Sequence, residues 1–159
     1  MEYAFRPIGV IHTPFKEKED MPIQGGLFPE TKGTVEVYPE YSEGLLDLDG
    51  FSHIILLFVF HKSRGHDLRA VPFVDDKEHG VFAIRSPRRP NPIGLTTVKL
   101  ESVEGGILKV RGVDMLDGTP LLDIKPHVPQ LDCVKHAKVG WLEGKSLNLK
   151  SDDRFSKND

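Results

Sequence analysis

The sequence predicts an all-β domain whose short strands form a closed barrel or a sandwich, with long loops and at most short helices. Three observations predict this class. Apolar and polar residues alternate over short stretches, as in half-buried strands. The 12 prolines and 15 glycines fall mostly between these stretches, where they favour turns. Helix signals are weak along the whole chain.

The predicted strands follow one another with turn residues between them. The segment 33–38 alternates, whereas 52–60 is continuously apolar and therefore indicates a strand buried on both faces. Glu104-Gly105-Gly106 is typical of a hairpin turn. The full set of predicted strands is one opened by Phe5, Ile8 and Val10, then 33–38, 52–60, 80–85, 95–104, 107–113, 121–125 and 137–142. A helical turn or two is expected over 39–48, with Ser42 as its candidate cap.

Length and composition favour one soluble domain. The chain has 159 residues, of which 38% are hydrophobic and 28% charged. We expect the domain to span 1–150 and the polar tail 151–159 to be disordered. The apolar run Ile54–Phe60 is too short to cross a membrane, and residues 1–6 lack the apolar core of a signal peptide. The single cysteine, Cys133, excludes an internal disulfide and is expected to be inert, so we expect a cytoplasmic protein.

The charge of the chain is unevenly distributed. The net charge is −3, but residues 80–127 carry seven basic and five acidic side chains, a local charge of +2. An anionic partner can therefore be met by a local patch rather than by the whole surface.

A proline-rich, arginine-rich segment covers residues 85–95. Pro87, Pro90 and Pro92 remove backbone donors and fix φ, which predicts a stiff loop. A stiff loop loses little entropy when it binds a ligand. Arg85, Arg88 and Arg89 on such a support suit a carboxylate or a phosphate; the alternative is a surface turn with solvated arginines. Gly94 is expected to permit a sharp return into the next strand.

A second candidate segment runs from Asp114 to His127. Asp117-Gly118 with Pro120 predicts a tight turn, and Asp123 and Lys125 share one face of the following strand. Inside a cleft these two side chains would keep each other charged. The alternative is an exposed ion pair that contributes almost nothing to stability.

A third candidate lies at the exit of the most apolar strand, where His61 and Lys62 are either ligand contacts or a capped strand end in solvent. The two long polar stretches 13–33 and 62–79 are expected to be functional loops. The histidines show no zinc spacing, and no phosphate-binding glycine motif or nucleophile elbow is present, so no metal site is predicted.

Together these segments resemble the TsaA-like family, the tRNA methyltransferases called TrmO. The resemblance extends from about Phe5 to Trp141, and two of its motifs, Arg-Pro-Asn-Pro-Ile-Gly and Asp-Gly-Thr-Pro, are highly specific. The matching residues are Ile8–Ile11, Thr13–Phe15, Gly50–His53, Phe58–His61, Gly80–Ala83, Arg85, Arg89–Leu95, Asp114, Asp117–Pro120 and Asp123–Pro126.

The resemblance implies a dimeric β-barrel methyltransferase outside the Rossmann class, with S-adenosylmethionine bound near the subunit interface. The implied reaction methylates N6 of threonylcarbamoyladenosine, next to the anticodon of threonine tRNA. The implied cofactor contacts are Gly25, Gly26, Leu27, His61, Lys62, Arg85, Leu95, Arg111, Gly112, Val113 and Asp114.

Two departures from the family pattern concern the substrate rather than the cofactor. Characterised bacterial members have an additional C-terminal region, so we expect its contribution to tRNA binding to be missing here or supplied differently. His127 replaces the tyrosine that often follows Ile-Lys-Pro in the family.

The implied acceptor nitrogen has a poor lone pair, because it is conjugated with both the purine ring and a carbonyl. We therefore expect a proton acceptor to assist the transfer, with Asp117 and Asp123 as candidates. Lys125 and Arg85 would orient a carboxylate of the threonyl group or of the cofactor. Arg88, Arg89 and Asn91 are the predicted tRNA contacts. The alternatives are a methyltransferase for another acceptor, and a non-catalytic module that binds the cofactor or RNA.

Overall fold

Six strands close into an antiparallel barrel, which confirms the all-β prediction and the closed form. The computed structural model describes residues 1–20, 30–145 and 147. The order around the barrel is β1-β2-β7-β6-β3-β8. The barrel strands are β1 (Gly9–His12), β2 (Lys32–Val37), β3 (His53–Val59), β6 (Ile93–Glu104), β7 (Ile107–Arg111) and β8 (Thr119–Pro126); β4 (Arg69–Ala70) and β5 (His79–Gly80) form a separate small sheet.

The register of the barrel is fixed by the inward-facing apolar residues. Phe58 of β3 pairs with Leu121 of β8 and Gly94 of β6, and all three are buried. A one-residue slip would turn such a set outward, so the alternation in each strand specifies its pairing. The core of the barrel is formed by Ile11, Val35, Val37, Leu48, Ile54, Leu56, Phe58, Val98, Leu100, Leu108, Val110, Val113, Met115 and Leu121.

The predicted hairpin turn at Gly105-Gly106 is confirmed. Glu104 pairs with Ile107, so the loop has two residues, with φ of +57° and +84°. Two positive φ values define the turn whose twist matches that of the flanking strands, and glycine adopts them without a steric penalty.

Helices are short, as predicted. Among the described residues they comprise one α-helical turn, α1 (Pro129–Asp132), and 3-10 turns at Lys18–Asp20, Pro39–Leu45, Leu48–Gly50, Val81–Ala83 and Gly140–Leu142. The expected cap at Ser42 is wrong, because Ser42 lies within the turn Pro39–Leu45 and its hydroxyl donates to the Pro39 carbonyl. No helix among the described residues is long and apolar enough to span a membrane.

Two predicted strands are wrong. Only His79 and Gly80 pair as a strand in the first region, and the chain then turns so that Val81 and Ile84 are buried while Phe82 is exposed. A spacing of three residues fits a 3-10 turn and not a strand. The predicted strand 137–142 is absent because His136 and Gly140 adopt left-handed φ values of +57° and +56°.

The continuous apolar strand is buried less evenly than predicted. In β3, Ile54, Leu56 and Phe58 are buried, whereas Ile55, Leu57 and Val59 on the outer face are half-buried. The predicted tail 151–159 lies outside the described residues, and the domain limits of 1–150 stay a prediction.

Candidate functional site

Three connections meet at one end of the barrel, which we call the loop end. Neighbouring strands are antiparallel, so the connections β1–β2 (13–31), β3–β6 (60–92) and β7–β8 (112–118) all leave and re-enter the barrel at the same end. They contain the three candidate segments predicted from sequence, apart from the residues placed on strands. Gly25, Gly26 and Leu27, which were also predicted, lie outside the described residues.

The arginine-rich loop is tied to the exit of β3. The Phe60 amide donates to the Pro92 carbonyl at 2.8 Å, and the Ser63 hydroxyl donates to the Pro87 carbonyl at 3.2 Å. His61 follows Phe60 directly, so the structure brings the first and third candidate segments together. Burial, and secondarily the neighbouring Lys62, lower the pKa of His61, although a hydrogen bond with the Val59 backbone opposes them.

Two predicted phosphate ligands brace this loop. Arg89 is partly buried and its Nη1 donates to the carbonyls of Ile84 at 2.9 Å and Ser86 at 3.3 Å. Arg88 Nε donates to Asp67 Oδ2 at 2.8 Å, and its Nη1 donates to the Arg64 carbonyl. The alternative of solvated arginines is therefore wrong for Arg89, whereas Arg88 is paired with Asp67 but remains exposed. Arg85 and Asn91 are exposed.

The Asp117-Gly118 turn is confirmed, and it is attached to the end of β1. Gly118 has φ of +80°, and its amide donates to the Ile11 carbonyl at 2.9 Å. Asp117 Oδ1 accepts the Thr13 amide at 3.0 Å, while Oδ2 pairs with Lys16. These contacts, Lys16 first and Thr13 second, hold the pKa of the Asp117 carboxyl below its ordinary value.

The segment after β7 contains Asp114, whose carboxylate is held in a fixed orientation. The buried Thr96 hydroxyl donates to Asp114 Oδ1 at 2.7 Å, so this side chain has a defined orientation. Gly112 adopts φ of +95° and its amide donates to the Thr31 carbonyl at 2.8 Å. Val113 is fully buried, backbone included, so in this structure it supports Asp114 from beneath rather than facing solvent.

The charge of Arg111, another predicted cofactor ligand, is already matched by two carboxylates. Its Nε donates to Glu101 and its Nη1 donates to Glu30 Oε2 at 2.7 Å. A ligand carboxylate would compete with both of these carboxylates.

Asp123, Lys125 and Leu95 lie outside the loop end, on the outer face of the barrel. Asp123 pairs across the sheet with Leu57, which pairs with Leu95. Lys125 Nζ lies 2.9 Å from Asp123 Oδ2, and both side chains are exposed to solvent. In the single chain they therefore form the exposed ion pair that the alternative interpretation predicted. Asp123 raises the pKa of Lys125, chiefly through this hydrogen bond.

Two clefts at the opposite end of the barrel have volumes of about 450 and about 570 Å³. The larger is lined by Ile8, Tyr41, Phe51 and Asp123 among others. Within the described part of the chain, no group of three or more His, Cys, Asp or Glu side chains is arranged to hold a metal ion.

Sequence reasoning did not single out several residues that build the loop end. Thr13, Lys16 and Thr96 hold the two aspartates, and Asp67 holds Arg88. The Thr13-Pro14-Phe15 motif was a signal for the first of these, since it recurs in the family resemblance. Thr96 and Asp67 carry no comparable signal, because their partners lie 18 and 21 residues away.

The sequence model of the tRNA-methyltransferase O N-terminal domain matches residues 10–133. The chain belongs to this family. A probable S-adenosyl-L-methionine-binding protein of Pyrococcus abyssi is 51% identical over 155 residues, which is 96% of this chain and 84% of that protein. The tRNA (adenine(37)-N6)-methyltransferase of Mus musculus is 41% identical over 142 residues, 84% of this chain and 32% of the mouse protein.

The fold is also that of solved TrmO structures. TrmO from Pseudomonas aeruginosa superposes with a TM-score of 0.75 at 42% identity, over 89% of this chain and 63% of that chain. The chain thus spans less than two thirds of the bacterial protein and about a third of the mouse relative.

Proposed function

We propose that this protein is an S-adenosylmethionine-dependent tRNA methyltransferase that methylates N6 of threonylcarbamoyladenosine beside the anticodon of threonine tRNA. Family membership supports the reaction class, and the mouse relative is named for methylation of adenine 37 at N6. The observation that supports the proposal is that four of the family motifs lie at the loop end, in two pairs that are each held by a hydrogen bond. There, Phe60 binds Pro92 and Thr13 binds Asp117.

The residues at the loop end fit the chemistry of the cofactor. Lys62 and Arg85 are exposed cations that suit its carboxylate, and the fixed Asp114 carboxylate suits an ammonium or a ribose hydroxyl. Gly112 and Val113 are buried and their amides donate to the Thr31 carbonyl, so they would shape the adenine subsite by holding Asp114 in place, and His61 lines the strand exit. Residues 25–27 complete the proposed set. Bound S-adenosylmethionine would supply an electrophilic methyl group.

The chain's own residues would then orient the acceptor and accept its proton. The lowered pKa of Asp117 makes it a weaker base than an ordinary carboxylate, because Lys16 and the Thr13 amide are already bound to it. Asp123 is bound by Lys125 and by the Ile124 amide at 2.9 Å, and it borders an open cleft. We assign the proton acceptor to Asp123 and the orientation of an anionic group to Lys125. Asp117 would shape the site by holding β1.

This assignment requires a second subunit. Asp123 and Leu95 lie on the outer face, away from the loop end, so one barrel alone does not gather all the proposed ligands. The same face exposes Ile93 by 43% and Leu95 by 48%, next to the half-buried Ile55 and Leu57. Adjacent exposed apolar side chains favour an interface. We infer a homodimer in which this face packs near the partner's loop end.

Transfer RNA would be met by Arg88, Arg89 and Asn91 on the stiff loop. Arg88 retains a half-exposed side chain, so it can reach a phosphate while it remains paired with Asp67. An anticodon-loop nucleoside is accessible without melting a duplex, which makes it a suitable substrate for a small domain.

Radiolabelled methyl transfer into threonine tRNA, with and without the threonylcarbamoyl group, tests the proposal. We expect label only in the modified tRNA. Equal labelling of both tRNAs would indicate another acceptor, and cofactor binding without any labelling would indicate a non-catalytic module.

Three variants then separate the roles at the site. Asp123→Asn should slow transfer while tRNA stays bound, whereas Arg88→Ala should weaken tRNA binding and reduce its salt dependence. Arg89→Ala should do the same and in addition loosen the loop, since it removes the bonds to Ile84 and Ser86. Normal transfer by both Asp123→Asn and Arg89→Ala would contradict the assignment.

A further inference from the structure

A buried carboxylate outside the proposed site binds three donors. The Asp75 side chain is only 6% exposed. It accepts a hydrogen bond from His79 Nε2 at 2.6 Å, from Lys145 Nζ at 3.1 Å and from the Asp76 amide at 2.9 Å. A carboxylate with so many donors is a strong local anchor, because each bond is charge-assisted.

Trp141 extends this anchor. Its indole stacks on the His79 ring with centroids 4.3 Å apart and planes at 20°. Its Nε1 donates to the Ala83 carbonyl at 2.8 Å. We call Asp75, His79, Trp141 and Lys145 the C-terminal clasp, because Trp141 and Lys145 fasten a late segment of the chain to the connection 60–92.

The clasp acts on the backbone that carries Arg85. Ala83 lies two residues before Arg85, and the next carbonyl, that of Ile84, is held by Arg89. Trp141 and Arg89 therefore fix the two consecutive carbonyls that directly precede Arg85. The connection 60–92 has only the two-residue strands β4 and β5 as regular pairing, so such anchors set its conformation.

We propose that the C-terminal clasp positions Arg85 for the carboxylate of the cofactor. Residues 140–145 would then contribute to cofactor binding indirectly, by holding the backbone next to Arg85. The family match ends at residue 133, so both Trp141 and Lys145 lie beyond it. The clasp residues do not touch the ligand; they act through the backbone at residues 81–85. This inference rests on the proposed function only in assigning Arg85 to the cofactor.

A double-mutant cycle with Arg85 tests the coupling. Binding of S-adenosylhomocysteine is measured by calorimetry for the full chain and for Trp141→Ala, Arg85→Ala and the double variant. We expect Trp141→Ala to weaken binding about five- to tenfold, and the double variant to bind no more weakly than Arg85→Ala alone. Fully additive losses, or wild-type binding by Trp141→Ala, would overturn the proposal.

Two further variants guard against simple loss of folding. Trp141→Phe keeps an aromatic ring on His79 but lacks the donor to Ala83, so it should give an intermediate loss. Val139→Ala truncates a half-exposed side chain in the same segment and should bind like the wild type. An equal loss in Val139→Ala would show that the segment matters without the clasp, against the proposal.

Hydrogen exchange separates this inference from the proposed function. Trp141→Ala should accelerate amide exchange over 81–89 but not in strand β7. Unchanged exchange over 81–89 would refute the clasp even if the enzyme methylates tRNA. Conversely, wild-type binding by Arg85→Ala would refute the cofactor assignment of Arg85, while faster exchange over 81–89 would still support the anchoring.

Discussion

The Asp117 carboxylate accepts the backbone amide of Thr13 at 3.0 Å, across 104 residues of sequence. The Thr13 hydroxyl returns a bond of 2.8 Å to the Met115 carbonyl and is itself buried. The exit of β1 and the connection before β8 are thereby locked together. This pair of bonds extends the β1–β8 ladder into the loop end, where regular strand pairing has stopped.

Removal of the Asp117 carboxylate should destabilise the fold. Asp117→Ala leaves the Thr13 amide without its partner, and we expect a loss of about 1–3 kcal/mol in the free energy of unfolding. Lys16→Ala is the matched control, since the Lys16 side chain is 70% exposed and should contribute little. Urea unfolding measures both. Equal losses in the two variants would mean that the ion pair, rather than the backbone bond, is the stabilising contact.

Acid should weaken the same contact. The pKa of Asp117 is lowered in the folded state by Lys16 and Thr13, so the carboxylate form favours folding. A lowered folded pKa gives stability that is present above the unfolded value, about 3.9, and is lost as the pH falls through the folded value. Wild type should therefore be more stable than Asp117→Asn at neutral pH, and the two should converge below about pH 4. A pH-independent difference would show that the charge is irrelevant.

The barrel strands were predictable from the sequence because alternation and turn residues are features of short, continuous stretches of the chain. Alternation in 33–38 and 95–104 assigns each residue to a face, and Gly105-Gly106 specifies a two-residue turn. The segment 80–85 was mispredicted because four consecutive apolar residues give no period, so burial of Val81 and Ile84 on one side of a turn has no local signature.

The sequence predicted which segments contribute to the site, but it did not predict which side chains contact one another there. The family motifs pointed to the loop end, but the partners of Asp117, Arg88 and Asp75 lie 104, 21 and up to 70 residues away. Such contacts depend on how the barrel closes. For the same reason, the sequence alone could not show that Asp123 and Leu95 face outward, because this follows from the pairing of both residues with Leu57.

A glycine is needed at position 94 because the Phe58 ring packs directly against it, and not because the backbone there has an unusual conformation. An added Cβ would lie 2.3 Å from Phe58 Cε2, and Gly94 does not have a positive φ. The expected sharp return into the strand is therefore wrong. Gly94→Ala should cost about 1–3 kcal/mol of unfolding free energy by overpacking the barrel. Gly44→Ala is the control, because nothing lies within 4 Å of its added Cβ. Comparable thermal stability of the two variants would contradict this account of Gly94.

The exposed pair of Asp123 and Lys125 permits a clean test of function. Both side chains are well exposed, at 44% and 60%, so their mutual attraction is screened by water. Asp123→Asn should therefore leave the thermal unfolding midpoint close to that of the wild type. The same variant should lower the rate of methyl transfer at saturating tRNA, because an amide is a far weaker proton acceptor than a carboxylate. Lys125→Met is the matched variant, since it removes the cation but keeps Asp123. It should raise the KM for the modified tRNA more than it lowers kcat if Lys125 orients an anionic group. A fall in unfolding midpoint that accounts for the lost activity of Asp123→Asn would instead assign this aspartate to the fold, and the proton acceptor would have to be sought at the loop end.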